Sequence, residues 1–321
     1  MFYIKTPSTD PHYNMAFESW CLRNLPQGEP YFYIWRNAPS VIIGENQNAY
    51  AEVNLDFLRA RGIVLARRTT GGGAVYHDLN NLNYSFIRED VGIAPIVDAL
   101  RSMGVEAEVS GRNDVFVEGR KVSGYARRME NGRQLVHGTL LYDVDLDTLG
   151  EALSTPSGKM HSKGVTSVRS RVANLKDYLP DCTDVLDFRT RLLERLCAGA
   201  KEYVLSDEDL NGIRQLRDTK FATFEWNYGR SSDTQFVYSR TFACGTVELD
   251  LALSRGHIRR IRFGGDFLGN LSTVSLEKRL TGVAYEPESI SSVLEGVNVW
   301  DYFDGMSSDQ LTSFIISPTL G

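Results

Sequence analysis

Apolar positions recur at helical spacing in some stretches of the chain and alternate in others, with breakers marking the joins. Asp10-Pro11 predicts an N-cap followed by a proline in the first turn. The helix behind it carries Phe17, Trp20 and Cys21 on one face and must stop before Pro26. Tyr31 to Arg36 and Val41 to Gly44 are strand-like runs joined by a turn at Asn37-Ala38-Pro39. Asn54 can cap a helix running through Arg61, with Gly62 ending it, and Ile63 to Ala66 then forms a strand that enters a glycine run. Asn83 to Arg88 is again strand-like, and Ile96, Val97, Leu100 and Met103 follow helical spacing with Gly104 at the C-cap. Val105, Ala107 and Val109 alternate, as do Val115 and Val117, and Asn131-Gly132 between extended runs predicts a hairpin. Leu186, Leu193 and Leu196 mark a helix capped near Asp184.

Past residue 230 the pattern changes. Phe236 to Phe242, Gly245 to Leu253 and His257 to Phe263 read as an antiparallel meander, turning at Ser254-Arg255-Gly256. Helical spacing follows around Leu276 to Leu280, Ser289 to Leu294 and Gln310 to Ile315. The polar, breaker-rich stretch Tyr228 to Asp233 is the expected boundary, giving domains at 1–229 and 236–321. The predicted class is α+β with mostly antiparallel sheets.

Composition narrows the function. The 321 residues exceed what one compact core usually holds. A net charge of −6 argues against a general nucleic-acid binder. No apolar run approaches the roughly 18 residues of a membrane helix, and the N-terminus turns polar after four residues, unlike a secretory signal. Cys21, Cys182, Cys197 and Cys244 are far apart and form no C-x-x-C pair, which speaks against a disulfide framework or zinc site and fits a reducing cytoplasm.

Four stretches carry candidate chemistry. Arg67-Arg68-Thr69-Thr70-Gly71-Gly72-Gly73-Ala74-Val75-Tyr76-His77-Asp78 contains a loop free to adopt positive φ, able to point backbone N–H groups at an anion, with Arg68 beside it as a partner for phosphate or carboxylate. Glycines alone favour a plain glycine-rich hairpin with a surface arginine. Neither a P-loop nor a dinucleotide fingerprint is present: Gly158-Lys159 is followed by Met160, and Tyr76 occupies the last glycine position. In Gly119-Arg120-Lys121-Val122-Ser123-Gly124, small neighbours would let a ligand reach Lys121, whose ammonium could stabilise charge growing on phosphate oxygens. Asp114 could bind magnesium or accept from Lys121, and otherwise reads as a turn carboxylate. His137, followed by Gly138, could donate to an acyl or adenylate oxygen, though a lone strand histidine is commonly structural. Lys163 to Arg171 is a basic run in an acidic chain, suited to an acidic partner or to covering phosphates, or simply a solvated loop.

Taken in order, these motifs resemble the lipoate–protein ligase family: Arg67 to Asp78, then Gly111-Arg112-Asn113-Asp114, Gly119 to Gly124, His137-Gly138-Thr139-Leu140-Leu141 and Lys163 to Val172. Phe224 to Gly229 resembles the end of the family's large domain. The resemblance implies a catalytic domain of the class II aminoacyl-tRNA synthetase and biotin ligase type, followed by a smaller α+β C-terminal domain that moves during the cycle. It implies two steps: lipoate attacks the α-phosphate of Mg2+-bound ATP, and a carrier lysine then takes the lipoyl group from lipoyl-adenylate. By the same resemblance Arg68 contacts nucleotide phosphate, Gly73, Ala74, Val75 and Tyr76 line the adenylate and acyl chain, and Lys121 touches both substrates. Asp114 and His137 complete the expected site. The implied partners are lipoyl domains of 2-oxoacid dehydrogenase E2 subunits or the glycine cleavage H protein, with neither nucleic acid nor membrane involved.

The alternative is an octanoyl or lipoyl acyltransferase of the same fold, which would need a reactive thiol near the pocket. No cysteine lies in or between the glycine and His-Gly motifs. A biotin ligase would carry an arginine-rich loop in place of Gly71 to Gly73. A non-catalytic lipoate-binding or carrier-binding scaffold has no reason to keep Arg68 and Lys121 together.

Overall fold

The computed structural model describes residues 1–6, 8–89, 92–110, 114–153, 171–231 and 233–316. Gly111 to Asn113, Gly158 to Met160 and Lys163 to Ser170 therefore lie outside the described residues. Two compact units emerge: Met1–Gln47 with Glu52–Thr223, and Asn48–Ala51 with Phe224–Gly321. The second thus begins at Phe224, upstream of the polar stretch at Tyr228, and draws in a short piece of the N-terminal half.

The chain opens with β1 (Phe2–Tyr3), α1 (Pro11–Asn24), β2 (Tyr31–Trp35) and β3 (Ser40–Ile43). Then come α2 (Ala49–Glu52), α3 (Leu55–Arg61), β4 (Val64–Arg67), β5 (Val75–His77) and β6 (Asn81–Arg88). Of these all but α2, which falls mostly in the second unit, belong to the first, which continues with α4 (Ala94–Ser102), β7 (Glu108–Ser110), β8 (Asp114–Val117), β9 (Arg120–Glu130) and β10 (Arg133–Leu141). It ends with α5 (Leu146–Ala152), α6 (Val185–Leu196), β11 (Lys201–Glu202) and α7 (Asp207–Leu216).

Local signals set several of these boundaries. The Asp10 side chain accepts from the His12 amide at the start of α1, and Asn54 accepts from Phe57 at the start of α3. Gly62 ends α3 in the left-handed region at φ 63°. Asn131 and Gly132 both have positive φ, as the tight turn between β9 and β10 requires.

Among the described residues the first unit has an eight-stranded sheet in the order β11-β1-β2-β6-β10-β9-β8-β7, antiparallel except where β1 meets β11 and β2. A three-stranded sheet, β4-β3-β5, lies within the same unit. β2 and β3 therefore belong to different sheets, although the sequence joins them by a short turn. On the large sheet, alternation sends Phe32, Ile34, Leu82, Tyr84, Phe86, Val136 and Leu140 into a core shared with α4 and α6. Odd positions, among them Tyr33, Trp35, Asn83, Ser85, His137 and Thr139, take the opposite face. Two expectations shift: Val105 and Ala107 are buried but precede the strand, and α6 buries Val185, Phe188 and Leu192 while Leu186 is exposed.

The second unit contains α8 (Phe224–Asn227) and the antiparallel meander β12 (Thr234–Phe242), β13 (Gly245–Ser254) and β14 (His257–Phe267). The helices α9 (Val274–Leu280), α10 (Pro287–Leu294) and α11 (Ser308–Ile316) follow, as their spacing predicts. Its core includes Leu249, Leu251, Ile261, Leu276, Ile290, Phe303 and Phe314.

Candidate active site

The glycine run joins β4 to β5, and Arg68 organises it from inside. Only 6% exposed, its guanidinium donates through Nη2 to the carbonyls of Gly71 and Gly73, both at 2.8 Å, and through Nη1 to Ile42 at 3.0 Å. Nε donates to the Thr70 hydroxyl at 3.0 Å. Burial lowers its pKa to about 10, so the group remains a cation at neutral pH. Gly72 needs its glycine: φ is 100°, and a Cβ there would meet Arg68 Nη2 at 2.9 Å. Arg67 turns the other way and donates to the carbonyls of Gly44, Glu45 and Gln47.

Lys121 stands two residues past the tight turn at Glu118-Gly119, whose residues have φ 50° and 73°. The β8–β9 register shifts between Val115 and Phe116, because Val115 faces Ser123 while Phe116 faces Lys121. Residues three apart normally face opposite sides of a strand, but the extra residue puts Lys121 and Gly124 on one side. A Cβ at Gly124 would sit 3.0 Å from Lys121 Nζ, so this glycine provides the room the ammonium occupies. Nζ pairs with Asp114 Oδ1 at 2.7 Å, and the lysine side chain is 34% exposed. The Lys121 backbone is held by Arg171 and Ala173.

His137 projects from β10 beside Ser85 of β6 and Tyr33 of β2, and Thr139 beside Asn83 and Trp35. Both its ring nitrogens are engaged within the protein. Nδ1 lies 2.8 Å from Glu18 Oε2, and Nε2 lies 2.7 Å from the Thr70 hydroxyl. Gly138 points to the other face, where it makes way for the Tyr84 hydroxyl.

Two cavities meet at these residues. The first is bounded by Trp35, Met15, Ile42, Arg68, the glycine loop and His137. The second is bounded by Tyr76, Asp114, Phe116, Leu141, Leu149 and Arg171. Ala74, Val75, Lys121 and Thr139 form wall in both. Every residue expected from the sequence thus borders one or both cavities: Arg68, Gly73 and His137 the first, Tyr76 and Asp114 the second, Ala74, Val75 and Lys121 both. The arrangement suits a two-part ligand, with an apolar tail on one side of the lysine and a polar anion on the other.

The lipoyl protein ligase A/B catalytic domain matches residues 10–197, and the bacterial lipoate protein ligase C-terminus matches residues 231–315. The chain belongs to the lipoate–protein ligase family. A lipoate-protein ligase of Bacillus subtilis is 39% identical over 320 residues, covering 95% of this chain and 97% of the relative. Lipoate–protein ligase 1 of Staphylococcus aureus is 40% identical over 314 residues, covering 94% and 96%. Among solved structures, the bipartite lipoate protein ligase of Thermoplasma acidophilum superposes with a TM-score of 0.66 at 33% identity, covering 71% of this chain and 96% of that one. A lipoate-protein ligase A bound with ATP superposes at 0.62 and 30% identity, covering 71% and 98%. This family member is an enzyme of the ligase class, and its catalytic domain has the class II synthetase-like fold.

Within the ligase, the residues that sequence reasoning passed over are Glu18, Thr70, Trp35 and His77. Glu18 is a carboxylate on the buried face of α1, three residues from both Met15 and Cys21, and a charge on such a stripe is itself a signal. His77 is buried, and its Nδ1 lies 3.0 Å from the Asn37 amide nitrogen. Burial, with help from Arg68 and His137, pushes its pKa down to about 3. None of the four cysteines borders either cavity, and burial raises each thiol, Cys197 to about 11. Those thiols are poor nucleophiles. Among the described residues no cluster of three or more His, Cys, Asp or Glu side chains could hold a metal.

Proposed function

We propose that this ligase activates lipoate with ATP and transfers the lipoyl group to a carrier lysine, with Lys121 as the catalytic residue. The observation that supports the reading is the position of Lys121 in the wall common to both cavities. The lipoate tail lies in the first cavity, against Trp35, Ile42 and Val75, and the nucleotide in the second, beside Tyr76. Their reacting ends then meet at the ammonium.

The carboxylate oxygen attacks the α-phosphorus, the bond to the β-phosphate oxygen breaks, and pyrophosphate leaves. Lys121 offsets the repulsion between the two anions and stabilises charge that grows on the α-phosphate oxygens. Arg68 holds the loop of Gly71 to Gly73 in the wall of the first cavity and adds a buried positive charge there, so the loop is in place before the lipoate carboxylate meets the nucleotide at Lys121. Gly73, Ala74, Val75 and Tyr76 line the adenylate. His137 stiffens this wall through Thr70. In the second step the carrier amine attacks the mixed anhydride carbonyl and AMP leaves.

Magnesium would enter with the nucleotide, and Asp114, which borders the second cavity, is the carboxylate that would hold it. It would draw charge from the phosphates. The second domain, 236–321, serves carrier docking. The carrier is a lipoyl domain of a 2-oxoacid dehydrogenase E2 subunit or the glycine cleavage H protein, encountered in the cytoplasm. A relative from Thermoplasma acidophilum was solved in a study of that ligase and its E2 lipoyl domain. No helix among the described residues is long and apolar enough to cross a membrane.

The deciding experiment is lipoate-dependent exchange of labelled pyrophosphate into ATP, without any carrier. Exchange is expected. Its absence, together with ATP-independent transfer from an octanoylated carrier, would establish an acyltransferase instead.

A further inference from the structure

We infer that Glu18 is a positioning residue that sets both ends of the acyl cavity through a buried hydrogen-bonded relay. It borders neither cavity and is 3% exposed, in the middle of α1. Its Oε1 accepts from the Ser85 hydroxyl at 2.5 Å, and Ser85 accepts from the Trp35 indole N–H at 2.9 Å. Its Oε2 faces His137 Nδ1 at 2.8 Å, His137 Nε2 faces the Thr70 hydroxyl at 2.7 Å, and that hydroxyl accepts from Arg68 Nε at 3.0 Å. One arm therefore ends on Trp35, the other on the arginine that holds the glycine loop, and both ends border the same cavity.

The chemistry of the ends fixes the direction of each bond. A carboxylate only accepts and a guanidinium only donates. Ser85 must then donate to Glu18, and His137 must carry its proton on Nδ1. Thr70 already accepts from Arg68, so its own proton finds a partner only on an unprotonated His137 Nε2. This arrangement satisfies every member, which is the condition under which a buried polar network is rigid rather than costly. It also places a carboxylate near the buried Arg68 cation, whose charged form Glu18 favours. The register explains how: Ser85 and His137 are direct neighbours on β6 and β10, and α1 lays Glu18 across both.

Glu18→Gln keeps the volume but replaces one accepting oxygen with a donor. The amide must turn its N–H groups toward Ser85 or His137, and the relay loses its single direction. Thr70→Val keeps the shape and removes the link to Arg68. Because the relay is serial, the two losses overlap.

This inference rests on the ligase reading, and wild-type pyrophosphate exchange tests that reading separately. The full chain and its Glu18→Gln, Thr70→Val, Thr70→Ser and double Glu18→Gln/Thr70→Val variants are compared in lipoate-dependent exchange. Each first variant should lower kcat on the order of tenfold to a hundredfold, the range expected from misplaced reacting groups. The double variant should be little worse than the poorer single, and Thr70→Ser should lose much less than Thr70→Val. Long-range 1H–15N spectra, with the signal assigned through His137→Gln, should show the His137 proton on Nδ1 in the wild type and a changed ring in Glu18→Gln. Unaltered kinetics, fully multiplicative losses, or a wild-type proton on Nε2 alone would each overturn the relay. If Glu18→Gln fails to fold, the Thr70 pair and the wild-type spectrum still decide.

Discussion

Lys121→Ala separates catalysis from stability because the structure gives the side chain little to hold up. Its backbone bonds to Arg171 and Ala173 survive replacement of the side chain by alanine. Its ion pair with Asp114, at 2.7 Å, is about one-third exposed on the lysine side. Pairs this exposed contribute about 0–1 kcal/mol. For a domain of this size that moves the melting temperature by no more than about 2–4 °C. Catalysis loses far more. A preorganised charge at the reacting atoms is typically worth ~10²–10³ in rate. The alanine also removes the cationic partner of Asp114 beside the site. The expected fall in lipoate-dependent pyrophosphate exchange is therefore a hundredfold or more. Lys121→Arg should rescue poorly, because Nζ occupies space that only Gly124 leaves open and a planar fork is broader. Lys176→Ala serves as control: that lysine pairs with Asp143 on the surface and borders neither cavity. Near-normal exchange by folded Lys121→Ala, or a loss that merely tracks unfolding, would refute the role assigned to this residue.

Two further outcomes follow from the site. Gly72→Ala places a Cβ at φ 100°, 2.9 Å from Arg68 Nη2, so it should cost about 1–3 kcal/mol and depress exchange; calorimetry and the exchange assay check both, and a silent variant would remove Arg68 as the organiser of the loop. His77 falls from 6.5 to about 3 on burial, so between those values the unfolded chain takes up a proton that the folded chain refuses, and stability drops as pH falls through that window. His77→Gln should make denaturant-measured stability less sensitive to pH there; an unchanged slope would contradict a buried neutral imidazole.

Much of the fold was legible where periodicity and caps coincide. Asp10-Pro11, Asn54 with Gly62, and Asn131-Gly132 mark boundaries that the structure keeps, because each signal is a local hydrogen bond or dihedral preference. Pairing was less legible. β2 and β3 are separated by a short turn yet join different sheets, a choice made by long-range burial rather than by the turn. Helices α5 and α7 went unanticipated although Asp145 caps the first and Ser206 with Asp209 forms a capping box on the second. Both carry apolar residues at helical spacing, Leu146 and Leu149 in the first and Leu210, Ile213 and Leu216 in the second, so cap and stripe were both present in the sequence. In the site, Lys121 and the glycine loop stand out as sequence, since their neighbours are small. Glu18 does not, because it comes from α1 and meets His137 only after the sheet has assembled.

The two adjacent arginines show why a motif and its geometry carry different information. Read as sequence, Arg68 before three glycines suggests a cation reaching for phosphate or carboxylate, and Arg67 carries no role. In the fold, successive residues at the end of β4 point to opposite sides, and both guanidiniums are buried against carbonyl groups. Arg67 ties down the segment from Gly44 to Gln47, and Arg68 the loop from Gly71 to Gly73. The two segments touch: the Glu45 amide donates to the Thr70 carbonyl, and a Cβ at Gly44 would run into the Gly72 oxygen at 2.2 Å. An arginine used in this way still contributes its positive charge, since burial leaves its pKa near 10 and low-dielectric surroundings carry its field further. What it adds is order. Carbonyls turned toward a guanidinium leave the amides of a glycine loop free to face an anion, with no rearrangement required when the substrate binds. A buried cation of this kind needs a buried counter-charge that cannot itself occupy the ligand site. Glu18, set back behind His137 and Thr70, meets both conditions.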